Sequence, residues 1–543
     1  MPAEHYLRRP VPARHVLERR RRALALGILL ALGVAGALAL ILIGCGGASN
    51  NTLVAPPPVA AVQPLQITDV QNIVQTAVNS ANVDMVVAVV DRAGFVLGVF
   101  RTQNAPANAS GNFGLSLSAN DVAVALARTG AFFSNDQAPL SSRTVRFISG
   151  IHFPPGVTNQ PPADLYGIEN TNRGCSLVSG AVFQGQIPPS LSLGGGFGPG
   201  VMTGKADAMD SNPLAVNPGG VPIFYQNVVV GGIGVVTSSS NLSLAEYTAF
   251  AGSTTQRTGP GDSFGPTPAA PGVVFIGGIA LPFVTQSSLP AGVSAGPVAG
   301  TGSYFVVPTN SAGQPPEGDL ITPAAGPLGG LSATDVQTIL SNAEATANTT
   351  RAAIRLPIGS RARMAIAVAD LDGTIIGLRR MQDSTVFSID VAASKARNMV
   401  YFNGSSRTAA DLNQVPMGTA VTNRTISFGS QPFFPPGIDG TAPGPFFNIF
   451  LQDLANPCTQ GMQAGAPNVN KSGIVFFPGS TGLYRNGVLV GGLGVSGDGV
   501  DQDDYVTNGG AAGFEAPANI RADQILINGV RLPYFKFPRN PTD

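Results

Sequence analysis

The densest run of chemically suggestive residues in this chain is Gly492-x-Gly494-x-x-Gly497, followed by Asp498, Asp501, Asp503 and Asp504. Glycines at that spacing after an apolar strand spell a dinucleotide loop, in which they open a helix whose N-terminus faces a pyrophosphate. The acids immediately downstream would repel phosphate, and no strand–helix–strand unit surrounds the run. The glycines therefore serve the backbone, allowing a bend and close packing, and the acids suit the first turn of a helix. Calcium also needs oxygen-rich loops, but the EF-hand spacing and its bidentate glutamate are missing. Catalytic groups are scarce. Of the histidines, His5 and His15 lie in the N-terminal targeting region, which leaves His152 for the mature protein. No C-x-x-C-H motif, nucleophile–base pair or His/Cys/Glu cluster occurs, so no catalytic residue and no metal site is assigned.

The elements that position these residues start from an unusual composition. The 543 residues include 68 Gly, 45 Pro and no Trp, and 31 basic side chains balance 31 acidic ones. The apolar content supports real cores, while the Gly and Pro predict long irregular connections. With zero net charge and no basic stretch after the N-terminus, nucleic-acid binding has no electrostatic footprint.

The N-terminus is basic (Arg8, Arg9, Arg14 and Arg19–Arg22) and runs into the apolar segment Ala23–Ile43. Leu42-Ile43-Gly44-Cys45 resembles a bacterial lipobox, which implies a signal peptide over 1–45 and lipidation of Cys45. An uncleaved anchor is the alternative, with the same compartment. The mature part is then exported and anchored to a membrane of the cell envelope. Residues 46–64 have the small, polar, Pro-rich composition of a tether.

The rest repeats. Leu65–Ile73 returns as Leu331–Ile339, Met85–Arg101 as Met364–Arg380, and Asp121–Phe133 as Asp390–Phe402. Arg143–Val157 matches Arg424–Ile438, Tyr225–Val236 matches Tyr484–Ser496, and Phe275–Phe283 matches Leu526–Tyr534. This order predicts copies over 65–287 and 331–537 joined by a Gly/Pro/Ser linker, 288–330. Each copy reads helix, strand, strand, helix, long Gly/Pro-rich insert, strand, strand, short helix, tail. Asn486-Gly487 between apolar runs is a hairpin turn. The fold class is therefore α+β: two tandem domains, each an antiparallel sheet with helices on one face. Cys175 and Cys458 fall at corresponding places in the inserts, and an oxidising compartment would favour a disulfide between them.

The helix Ser388–Phe402, the hairpin Ala365–Gly377 and above all Asn486–Gly497 with Gln502-Asp503 resemble the GlcG/HbpS-like family of heme-binding proteins. In the first copy, Pro218–Pro222 and Gly231–Val235 carry the resemblance, whereas Val236–Ser240 replaces the Ser-Gly-Asp-Gly segment. The resemblance implies a profilin- or GAF-like sheet, a homo-oligomer, and heme as the ligand, for storage, sensing or delivery. Under it, His152, Met399 and Tyr401 become candidate iron ligands, and Lys395 and Arg397 candidate partners for propionates. His152 aligns with Phe433 in the second copy, where a packed aromatic is the simpler role. The alternative function is a non-catalytic structural or protein-interaction module that has kept the fold without the ligand.

Overall fold

The computed structural model describes residues 63–110, 116–150, 218–265, 274–276, 279–436, 438, 441–455, 459–462 and 472–543. The unit from Ala60 to Asp543 holds both halves. The first half contains α1 (Ile67–Ser80), β1 (Met85–Asp91), β2 (Val96–Arg101), α2 (Ala119–Phe133), α3 (Ser142–Gly150), β3 (Gly220–Tyr225), β4 (Val228–Thr237) and α4 (Leu242–Ser253). Strands β5 (Ser303–Val306) and β6 (Gly318–Ile321) follow. The second half contains α5 (Ala333–Thr349), β7 (Met364–Ala369), β8 (Ile375–Arg380), α6 (Ser388–Asn403), α7 (Asn423–Gly429), α8 (Phe447–Ala455), β9 (Ser480–Arg485), β10 (Val488–Gly497) and α9 (Val500–Gly510).

Each half builds a five-stranded antiparallel sheet, in the order β5-β2-β1-β4-β3 and β6-β8-β7-β10-β9. The segment 288–330, expected to be a linker, is thus folded in part and lends one edge strand to each sheet. The hairpin turns form as their sequences require: Asn486 and Gly487 have φ of 52° and 78°, and Gln226 and Asn227 of 50° and 66°. Both opening helices begin at a reciprocal cap, with Asp69 and Asp335 accepting the backbone N–H of Gln66 and Ser332 at 2.8 and 2.7 Å.

Helices cover both faces of each sheet, which corrects the expectation of one. Along β1, Val86, Ala88 and Val90 pack with α2, while Met85, Val87 and Val89 pack with α1 and α4. In β7, Ala365, Ala367 and Ala369 face α6, and Met364, Ile366 and Val368 face α5 and α9. The physical reason is visible in MVVAVVD and MAIAVA, unbroken apolar runs without the alternation of a half-solvated strand.

Glycines set how closely the inner helix approaches. A Cβ at Gly492 or Gly494 would run into the carbonyl oxygen of Ala396 or Ala392 on α6, and at Gly232 or Gly234 into that of Ala127 or Ala123 on α2. The glycine run is a seat for a helix, and it is used in both sheets.

The halves meet through a shared apolar cluster. The rings of Phe133 and Phe387 stack at 4.0 Å, and Val386 N–H donates to Phe132 O at 3.0 Å. Asn135 Nδ2 and Gln137 Nε2 donate to Ile354 O and Leu356 O at 3.2 and 2.9 Å. Arg355, 3% exposed, bridges Asp383 at 2.6 Å and Asp498. No helix among the described residues is long and apolar enough to cross a membrane. The 1–45 leader, Cys45, His152, Cys175 and Cys458 lie outside the described residues.

Replacing Gly494 with Ala should destabilise the chain by about 1–3 kcal/mol or more, because backbone must yield to the new methyl. Gly259→Ala, whose Cβ would meet nothing within 4 Å, should stay within about 0.5 kcal/mol of wild type. Urea melts of both variants measure the contrast.

Candidate functional site

Helix α6 carries four of the five candidate heme-binding residues, Lys395, Arg397, Met399 and Tyr401, and each of them packs or bonds inside the fold. The Lys395 ammonium is fully buried and donates to Val495 O at 2.7 Å and Asp503 Oδ2 at 2.9 Å. It also lies 4.8 Å from the centroid of the Phe477 ring. Burial lowers the Lys395 pKa and pushes the Asp503 carboxyl up to about 7, against the pull of Lys395. Arg397 Nε donates to Gly373 O at 2.9 Å, across to the β7–β8 turn. Arg128 in the first half makes the same bond to Gly94 O at 2.8 Å, so this arginine ties helix to hairpin in both sheets. Met399 is fully buried and Tyr401 donates its hydroxyl to Asp411 at 2.9 Å. Both belong to a cluster with Phe446, Phe450 and Phe476. Phe433, the position aligned with His152, is half-buried.

The acidic run after Gly497 is consumed by ion pairs. Asp498 meets Arg355, Asp501 meets Arg424 at 2.7 Å and Lys536 at 3.1 Å, Asp503 meets Lys395, and Asp504 meets Arg424. Burial raises the Asp498 and Asp504 pKa values, with the facing arginines opposing it. Among the described residues no group of acids, histidines or cysteines is arranged to hold a metal ion. These ion pairs tie α9 to α6 and α7.

The two halves differ at one part of this network. Arg143 pairs with Glu246 at 2.6 Å as Arg424 pairs with Asp504. In contrast, Leu126 and Ala245 stand where the second half has Lys395 and Asp503. A Cβ on Gly219 would touch Ala245 Cβ, as one on Gly479 would touch Asp503 Cβ. The fold thus accepts an apolar pair at these positions.

A cavity of about 490 Å³ opens between the halves. Phe133, Leu140, Ile148 and Ile276 line it from the first half, and Ile354, Phe387 and Phe477 from the second. Its polar lining includes Arg351, Asp501, Lys536 and Arg539. The volume is that of a small-molecule site, and the walls are apolar in the usual proportion. No His, Cys, Met or Tyr is among the described residues lining it. The sequence offered no signal for this cavity, since its walls come from seven separated stretches with no shared motif.

Residues 331–512 match the model of a family described as haem degrading protein HbpS-like. The match runs from the start of α5 to just beyond α9, the second half of the unit. Among solved structures the chain is similar to a PduOC:heme complex, at 23% identity over 34% of this chain and 96% of that chain, with a TM-score of 0.22. It is also similar to Klebsiella pneumoniae protein ORFY, a DUF336 protein, at 18% identity over 34% of this chain and 90% of that one, again with a TM-score of 0.22. No curated protein matches.

Lys395→Met should cost about 3–5 kcal/mol, because it strands a buried carboxylate. The double change Lys395→Leu with Asp503→Ala copies the first half and should be neutral or stabilising by about 1–4 kcal/mol. A carboxyl raised to about 7 in the folded state binds its proton more tightly there than when unfolded. Its contribution to stability is therefore present at low pH and lost between about pH 4 and 7. Urea melts across that window should show a flatter pH profile for the double variant than for wild type.

Proposed function

We propose that this chain is an exported lipoprotein, anchored through Cys45 to the cell envelope, that binds heme between two tandem GlcG/HbpS-like halves. The observation that carries the reading is the apolar cavity of about 490 Å³. One of its sides is built by the segment that matches the haem-related family. A flat, largely apolar ring fits walls made of Phe133, Phe387, Phe477 and aliphatic side chains, and burial of such a ring is the main driving force for binding it. Because both halves contribute walls, the stoichiometry is one ligand per chain. When bound, heme would supply an iron centre; the chain supplies enclosure, orientation and exclusion of water. The role is storage, sensing or delivery, with no side-chain set for catalysis.

In this reading His152, four residues after the cavity-lining Ile148 in sequence, would hold the iron. A second reading, a structural or interaction module without ligand, draws support from α6. There Lys395, Arg397, Met399 and Tyr401 are all engaged in packing and internal hydrogen bonds. Titrating the chain with hemin separates the two readings. Heme binding predicts a saturable Soret shift, and His152→Ala should alter the spectrum and weaken the complex. Absence of any saturable shift favours the module, and an unchanged spectrum in His152→Ala removes that residue as ligand.

A further inference from the structure

The C-terminal segment 535–543 forms a strap that lends Lys536, Pro538 and Arg539 to the cavity lining and is anchored largely through its backbone. Lys536 N–H donates to Asp504 Oδ2 at 3.0 Å, Arg351 N–H to Pro541 O at 2.6 Å and Arg361 Nη1 to Thr542 O at 3.0 Å. The rings of Phe537 and Tyr505 meet edge-on at 5.5 Å. These contacts hold Lys536 and Arg539 beside Arg351 in the cavity lining. Lys536 and Arg539 are exposed and Arg351 half-buried, which puts the cations toward solvent while the phenylalanines line the interior. Arg351 Nη2 donates only to a backbone oxygen, that of Arg539 at 2.9 Å. Among the described residues neither arginine pairs with a carboxylate, and Lys536 shares Asp501 with Arg424.

Much of the docking runs through the strap's own backbone, to which Arg351 Nη2 adds one bond and Lys536 an ion pair with Asp501. In the first half the matching tail, Val284–Ser288, carries no cation, and it too donates a backbone N–H to the acid of the helix, Gln286 N–H to Glu246 at 3.0 Å. Two guanidinium groups without counter-charges beside an apolar cavity make a place for anions that belong to an apolar ligand. Arginine is the side chain best suited to that task, because its planar fork matches a carboxylate.

We infer that Arg351, Arg539 and Lys536 form a carboxylate-binding subsite at the mouth of the cavity, so that the C-terminal strap is a ligand-binding element. This rests on the reading of the cavity as a tetrapyrrole site and adds to it which end of the ring faces solvent and what holds it. The strap lies beyond the segment 331–512 that matches the family. The ligand class it selects is a planar apolar ring bearing free carboxylates at one edge.

The test compares hemin with hemin dimethyl ester on the full chain, followed by absorbance titration. Wild type should bind hemin about tenfold or more tightly than the ester, with an affinity that falls as salt rises. Arg351→Gln with Arg539→Gln should bring hemin down to the affinity of the ester and leave the ester unchanged. Arg351 is half-buried and donates to the strap backbone, so the exposed Arg539→Gln alone is the stability control: it should keep the circular-dichroism spectrum and melting temperature and still lose part of the preference for hemin. Equal binding of the two probes by wild type, or an unaltered ratio in the double variant, would overturn the subsite and leave the tetrapyrrole reading standing. If neither probe binds, the tetrapyrrole reading fails and takes the subsite with it.

Discussion

The structure depends on one close approach, that of a helix backbone to a glycine-rich strand. At Gly492 and Gly494 the carbonyls of Ala396 and Ala392 occupy the space a side chain would need, and Gly232 and Gly234 do the same for α2. Small residues on both sides let helix and strand meet at the backbone, so their relative position is fixed by hard contacts instead of by adaptable side chains. From that seat α6 can reach the turn at Gly373 with Arg397 and the sheet with Lys395. The strand leads through Asp498, which meets Arg355, into α9, whose acids find Lys395 and Arg424. The cavity is a later consequence: Ser496, Gly497 and Gly499, at the end of this strand, form part of its wall.

The halves share sheet order and helix–hairpin ties, but they are not chemically equivalent. A buried ion pair, Lys395–Asp503, has an apolar counterpart in Leu126 and Ala245, and the cationic strap has an uncharged one. Buried pairs are weak contributors to stability once desolvation is counted, so the fold itself gives no reason for this difference. Of these second-half groups, Asp503, Lys536 and Arg539 line the cavity. The asymmetry suits one binding site per chain with walls from both halves, where a symmetric pair of sites would need the same chemistry twice.

Much of the architecture was legible because it is local. The Asn486-Gly487 turn, the capping acids Asp69 and Asp335, and the paired blocks in their shared order all depend on residues close in sequence. Covering of both sheet faces was missed: helices were expected on one face, although the unbroken apolar runs of β1 and β7 carried the signal. What stayed hidden is long-range. Ser303–Val306 and Gly318–Ile321 sit in a stretch whose Gly and Pro mask short strand signals, and they acquire strand structure by pairing with β2 and β8. Lys395 and Arg397, candidate propionate partners by the family resemblance, become internal partners because helix and strand touch. The cavity residues, from Phe133 to Arg539, are brought together by docking of the two halves, for which no sequence motif exists.

The central claim is that the ligand site belongs to the junction of the halves and not to each half separately. Isothermal titration of the chain with hemin tests it directly through stoichiometry. The account predicts one heme per chain, with binding lost when Ile354→Trp fills the space between Phe133 and Phe477. Two hemes per chain, or saturable binding that survives the filled cavity, would contradict it.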